Sequence, residues 1–161
     1  MVVATPLHWK VGVITITSIL ESEIAGIPPE FFFPASTAEA VLRHPWVVPD
    51  YADESGMIAL RVQALVVEVG SRRILVDPCV GNGKTRALPF WHMQDWPFMD
   101  RLTDAGFAPD TIDVVVHTHL HADHLGWDTR PIGGAWVPTF TSARHLYTDA
   151  AIVAARAPEN R

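Results

Sequence analysis

The stretch from Val114 to Trp127, VVVHTHLHADHLGW, constrains this chain more than any other. Three β-branched apolar residues run into a polar cluster that holds His117, His119, His121, Asp123 and His124. A buried strand that ends this way brings imidazole nitrogens and a carboxylate towards one point, and divalent zinc, iron and manganese accept those donors. In an extended continuation of the strand, His119 and His121 project to the same side and can grip one ion as a pair. Asp123 and His124 follow at the turn and offer a second pair. The spacing points to two metals close together, or to one metal with an acid/base carboxylate beside it.

Thr118 to His124, THLHADH, resembles the T-H-x-H-x-D-H signature of the metallo-β-lactamase-fold hydrolases, and the preceding strand and Leu125-Gly126 fit it as well. The resemblance implies that His119 and His121 bind one metal and that Asp123 and His124 bind the second. Zinc is the expected ion, two per complete site, although iron and manganese suit the same donors. It further implies a hydrolase in which water activated by the metals attacks an electrophilic carbonyl, with Asp123 placed to orient the nucleophile. The stretches GWDTR and GAWVPTFTSARHLY are similar to the lactonase-like branch, so a lactone or ester is the expected substrate. A β-lactam, thioester or phosphotriester surrounds that choice, and some mononuclear iron members oxidise thiols instead.

Composition sets outer limits. With 48% hydrophobic and 19% charged residues, 161 residues can build one domain with a sizeable core. A net charge of -6 without a Lys/Arg cluster argues against nucleic acid as a partner. Cys79 is the single cysteine, which rules out an internal disulfide and fits a reducing cytoplasm. The start does not resemble a signal peptide, and no run of ~20 apolar residues could span a membrane. A soluble, cytoplasmic, globular protein is expected.

Along the chain, His8 to Ile19 reads as one β-branched strand. The Pro-rich stretch 27–50 reads as an excursion with one short helix, begun by a capping-box pattern from Ser36 to Glu39. Its aromatics, Phe31 to Phe33 and Trp46, are expected in core or lid packing, with a substrate-facing role as the weaker reading. Leu60 to Val69, the turn Gly70-Ser71 and Arg72 to Val76 make a hairpin that ends at Asp77-Pro78. In the resembled family this aspartate supports the metal ligands without binding metal itself, and Asp77 occupies that place. Cys79 to Phe98 reads as a loop, then Pro97, Phe98, Met99, Leu102 and Gly106 outline a helix, and Thr111 to His117 is the strand that delivers the ligands. Asp128 to Pro138 reads as a hairpin or loop, Ala143 to Tyr147 as a strand, and Thr148 to Ala157 as a helix. The class is α/β. His117, one position before the motif, is expected to be packed or hydrogen-bonded rather than a ligand.

A complete enzyme of the resembled fold is an αβ/βα sandwich whose second half supplies one more histidine for each metal and a bridging aspartate. His145 is the sole histidine after the motif, lies within an expected strand, and is not counted as a missing ligand. The expectation is therefore the N-terminal half of the sandwich, a mixed sheet with flanking helices. Two protein ligands per metal imply weak or absent catalysis by this chain alone, and an uncovered sheet face invites a homodimer. The competing expectation is a non-catalytic fragment or association module with a weak residual metal site.

Overall fold

A computed structural model describes residues 6–157. Six strands form one mixed sheet in the order β1 (His8–Val11), β2 (Ile14–Ile27), β3 (Ile58–Val69), β4 (Arg72–Val76), β5 (Val114–Val116) and β8 (Arg144–Leu146). A separate pair, β6 (Thr129–Ile132) and β7 (Ala135–Pro138), makes a short antiparallel hairpin. Three α-helices accompany the strands: α1 (Ala38–Leu42), α2 (Phe98–Asp104) and α3 (Asp149–Arg156). This is the mixed α/β arrangement expected. No helix among the described residues is long and apolar enough to cross a membrane.

The sheet changes character midway, and that change positions the site. β3 and β4 pair antiparallel through the Gly70 turn, as the hairpin pattern predicts. β4, β5 and β8 then pair in parallel, with Leu75 beside Val115 and Val115 beside His145. Their carboxyl ends therefore lie side by side, where α/β folds gather functional loops. Leu75, Val115, Val66 and Ala64 are buried on the sheet, and Phe98 and Leu102 of α2 and Ile112 are fully buried as well. Phe98 stacks on Trp127 with ring centroids 5.5 Å apart, so the apolar stripe of α2 meets the chain that follows the motif.

The chain divides into two compact units. The first holds 1–21 and 62–161, and the motif lies within it. The second, Ser22–Arg61, contains the far ends of β2 and β3, where Arg61 pairs with Glu23, together with the Pro-rich excursion. Within that unit α1, Val47, Tyr51 and Ile58 line a largely apolar groove of about 320 Å³.

Several boundaries differ from the sequence reading. The first strand is two strands: Gly12, at φ 61°, turns the chain so that Val11 faces Ile14, because the apolar residues continue on both sides of a glycine that favours a left-handed turn. The cap of α1 is Thr37 rather than Ser36; its side chain accepts the Ala40 N–H at 3.1 Å, so Glu39 falls one position early for a reciprocal bond. Pro97 caps α2 from outside the helix. The ligand-bearing strand is only Val114–Val116, because Pro109–Thr111 forms a 3-10 turn first. The excursion's aromatics are not core: Phe33 is 64% and Trp46 71% exposed, with rings touching mainly other aromatics nearby. The Thr148 cap on the last helix is as expected, its hydroxyl accepting the Ala151 N–H at 3.1 Å.

Candidate metal centre

The ends of β4 and β5 are tied together by Asp77. This residue adopts φ 53°, which turns its carboxylate towards the motif. Oδ1 accepts the Thr118 backbone N–H at 2.8 Å and Oδ2 accepts the Thr118 hydroxyl at 2.7 Å. The same Oδ2 lies 3.0 Å from His124 Nδ1. Thr118 in turn places its hydroxyl 3.0 Å from His119 Nδ1. Asp77 thus stands behind the motif and contacts it at both ends.

The motif itself folds as a tight series of turns. His124 N–H donates to the His121 carbonyl at 3.0 Å, which brings the second half of the motif back over the first. The His119 ring centroid lies 4.5 Å from that of His121 and 3.9 Å from that of His124. His124 Nε2 is 3.2 Å from Asp123 Oδ2. The four predicted ligands are brought into one cluster, yet no three of them place ligand atoms within 4.8 Å of one another.

Electrostatics follow from that crowding. Burial, with the neighbouring His124 and His121, pushes His119 below the usual histidine range. The Asp123 hydrogen bond raises His124 against the effect of burial. Burial works to raise Asp123, but the hydrogen bond and charge of His124 prevail and hold its carboxyl below the ordinary value. A cluster with a depressed histidine, an ionised aspartate and a second imidazole flanked by two carboxylates has the donor chemistry of a divalent-cation site.

A carboxylate that the sequence reading passed over braces the whole arrangement. Glu21, 1% exposed in β2, accepts the Val80 N–H at 2.8 Å, the Gly81 N–H at 3.0 Å and the Trp127 indole N–H at 2.6 Å. Burial raises its carboxyl despite these three donors. Arg101 of α2 donates to the Leu20 and Glu21 carbonyls from the same side. The available signal was an acidic residue at an inward-facing position of a largely β-branched and apolar strand, the first glutamate of SILESEIAGI. Gly126 completes the fit, its N–H donating to the Cys79 carbonyl at 2.7 Å so that the two loops run in backbone contact.

Other polar and aromatic side chains make contacts of their own. His92 contacts the Arg86 backbone, and Trp91 buries its indole N–H without a partner. Lys84 lies over the Trp136 ring at 3.9 Å and donates to Thr129 at 2.9 Å. His117 is buried and pairs with Asp128, and His145 in β8 pairs with the same carboxylate rather than with the motif. A cleft of about 300 Å³ opens beside His119 and His121, walled by Ala151, Ala154 and Ala155 of α3.

Comparison with known proteins adds the relatives. The hydrolase AbOPH of the beta lactamase superfamily matches with a TM-score of 0.70 at 20% identity, over 98% of this chain and 49% of that one. A probable metal-dependent hydrolase from Staphylococcus aureus gives 0.71 at 21%, over 93% and 52%. AidC, a dizinc quorum-quenching lactonase in complex with a product, gives 0.65 at 16%, over 91% and 45%. These likenesses are of fold, and this chain spans about half the length of each. A search of curated protein sequences finds no match. The sequence model of the metallo-beta-lactamase superfamily matches residues 57–145, from β3 through the motif to β8. By that match, joined to the fold and the clustered motif, the chain belongs to the metallo-β-lactamase superfamily.

Proposed function

We propose that this chain carries the metal-binding half-sites of a hydrolase that opens a lactone or ester. His119 and His121 would hold one zinc ion, and Asp123 and His124 a second. One observation carries the reading: the His119 ring lies within 4.5 Å of both the His121 and His124 rings, beside an open cleft. A divalent metal held there would supply Lewis acidity towards a carbonyl oxygen and an activated water. Asp123 would orient that nucleophile, while Asp77 holds Thr118 and His124 from behind. The alanine wall of α3 leaves room for a small substrate next to His119 and His121. The lactone or ester preference is supported by the lactonase among the structural relatives.

Two ligands per ion make a labile centre, so hydrolysis by this chain alone is expected to stay near the uncatalysed rate. Zinc titration against a chromophoric chelator tests the metal assignment, and His121→Ala/His124→Ala should remove about two equivalents per chain. Unchanged binding in that variant overturns the ligand assignment. Fast zinc-dependent opening of an acyl-homoserine lactone by the pure chain overturns the incompleteness and keeps the rest.

A second reading, an association module without catalysis, draws on the exposed β1 hairpin, where Val11 is 61% and Val13 85% exposed next to an exposed Trp9. A second copy would cover these residues. Sedimentation of the wild type against Val11→Lys/Val13→Lys decides it, a monomer in both cases removing this reading.

A further inference from the structure

We propose that His117, Asp128 and His145 form a second kind of metal site in this chain, a two-imidazole, one-carboxylate site for zinc or another late first-row divalent ion. It uses none of the four motif residues, and it stands whether or not the motif binds metal. Among the described residues, these three are the group whose ligand atoms all lie within 4.8 Å of one another.

The three donors come from separate elements, two of them tied to the sheet. His117 follows directly after β5, and its backbone N–H donates to the Leu146 carbonyl of β8 at 3.1 Å. His145 sits within β8, opposite Val115. Asp128 closes the 3-10 turn Gly126–Asp128, and its carbonyl accepts the Thr139 N–H at 3.0 Å. None of the three positions depends on a long free loop.

The separations suit shared coordination. His117 Nε2 lies 3.1 Å from Asp128 Oδ1 and 3.0 Å from Oδ2, and His145 Nδ1 lies 3.2 Å from Oδ1. Bonds of about 2.0 Å from zinc to imidazole nitrogen and carboxylate oxygen place tetrahedral neighbours about 3.3 Å apart. A small adjustment of the three side chains would therefore admit an ion.

Hydrogen-bond supply points the same way. Both ring nitrogens of His117 face oxygen acceptors, Nδ1 the Leu146 carbonyl at 3.4 Å and Nε2 the Asp128 carboxylate. With a cation at Nε2, an N–H on Nδ1 would donate to the Leu146 carbonyl, which is the usual support for a metal-bound histidine.

Tyr147 supplies the outer support. Its ring stacks on His117 with centroids 4.4 Å apart and planes 16° apart, and its hydroxyl donates to Asp128 Oδ2 at 3.0 Å. The His117 side chain is fully buried, so its ring cannot turn away. An ion here would join β5, β8 and the turn that carries Trp127, a bond across the far edge of the sheet.

The test uses the full chain with the motif removed by His121→Ala/His124→Ala, stripped with a chelator and titrated with cobalt(II). The expected result is one equivalent bound per chain, with the visible absorption of a low-coordinate nitrogen and oxygen set. Adding His145→Ala or Asp128→Asn should weaken binding at least tenfold. Zinc should raise the thermal midpoint of the motif-less protein and leave that of its Asp128→Asn derivative unchanged. Absence of binding in the motif-less chain overturns the proposal, as does binding that survives both further substitutions. Should His145→Ala fail to fold, Asp128→Asn decides the matter, because it keeps side-chain shape and removes the charge.

Discussion

The Asp77 carboxylate accepts two hydrogen bonds from Thr118, one from its backbone N–H and one from its hydroxyl. The first residue after β4 therefore holds the first residue of the metal motif. Asp77→Asn tolerates the same left-handed backbone but weakens the acceptor. Zinc affinity at the motif should fall by about 10–100-fold with the fold retained, read by chelator competition and circular dichroism. Wild-type affinity in this variant would show that Asp77 is only a turn former.

Glu21 joins the loop after β4 to the turn after the motif. Glu21→Gln replaces one acceptor oxygen with an amide NH2 that must face Val80, Gly81 or the Trp127 indole, all of them donors. The loss should be about 2–3 kcal/mol of stability, measured by urea unfolding. A change below about 0.5 kcal/mol would mean the loops hold themselves together without the carboxylate.

The same carboxyl sets a pH dependence. Burial puts its folded value above the ordinary 4.5. As pH rises from there through the folded value, the folded chain retains a proton that the unfolded chain has lost, so this contribution to stability declines. Urea midpoints of the chelator-treated protein should carry that downward component, and Glu21→Gln should lack it. An identical pH profile in the two proteins would count against it.

Backbone proximity makes Gly126 irreplaceable. A Cβ there would lie 1.8 Å from the Val80 carbonyl oxygen and 1.9 Å from its carbon. Neither loop can yield without breaking the bonds from Gly126 and Trp127 to Cys79 and Pro78. Gly126→Ala should cost more than about 4 kcal/mol and leave little soluble protein. Gly133→Ala is the control: no atom lies within 4 Å, so only the strain of its φ of 58° is felt.

Much of this was legible in the residues because it is local. The THLHADH spacing announced four donors, and their clustering needs only the turns of that segment. The β3 and β4 hairpin is likewise written in alternation and a Gly-Ser turn. What stayed hidden depends on residues far apart in the chain. Glu21 meets Val80 and Trp127 only once the sheet has assembled, and Asp128 reaches His117 and His145 only when β8 lies beside β5. The aromatic run at Phe31 to Phe33 misled because hydrophobicity reports a tendency to be buried, not what is present to bury it.

The sheet's change from antiparallel to parallel pairing also orders its assembly. The β3 and β4 hairpin closes across a tight turn, whereas β4 with β5 must close over the loop and helix between them, and β5 with β8 over the motif. Loop closure delays the longer connections, so the ligand-bearing strand should join a sheet already half built. In pulse-labelled refolding, amides of Val66 and Ile74 should gain protection before that of Val115. The metal would then act late in folding, as a latch on a finished frame rather than a seed for it.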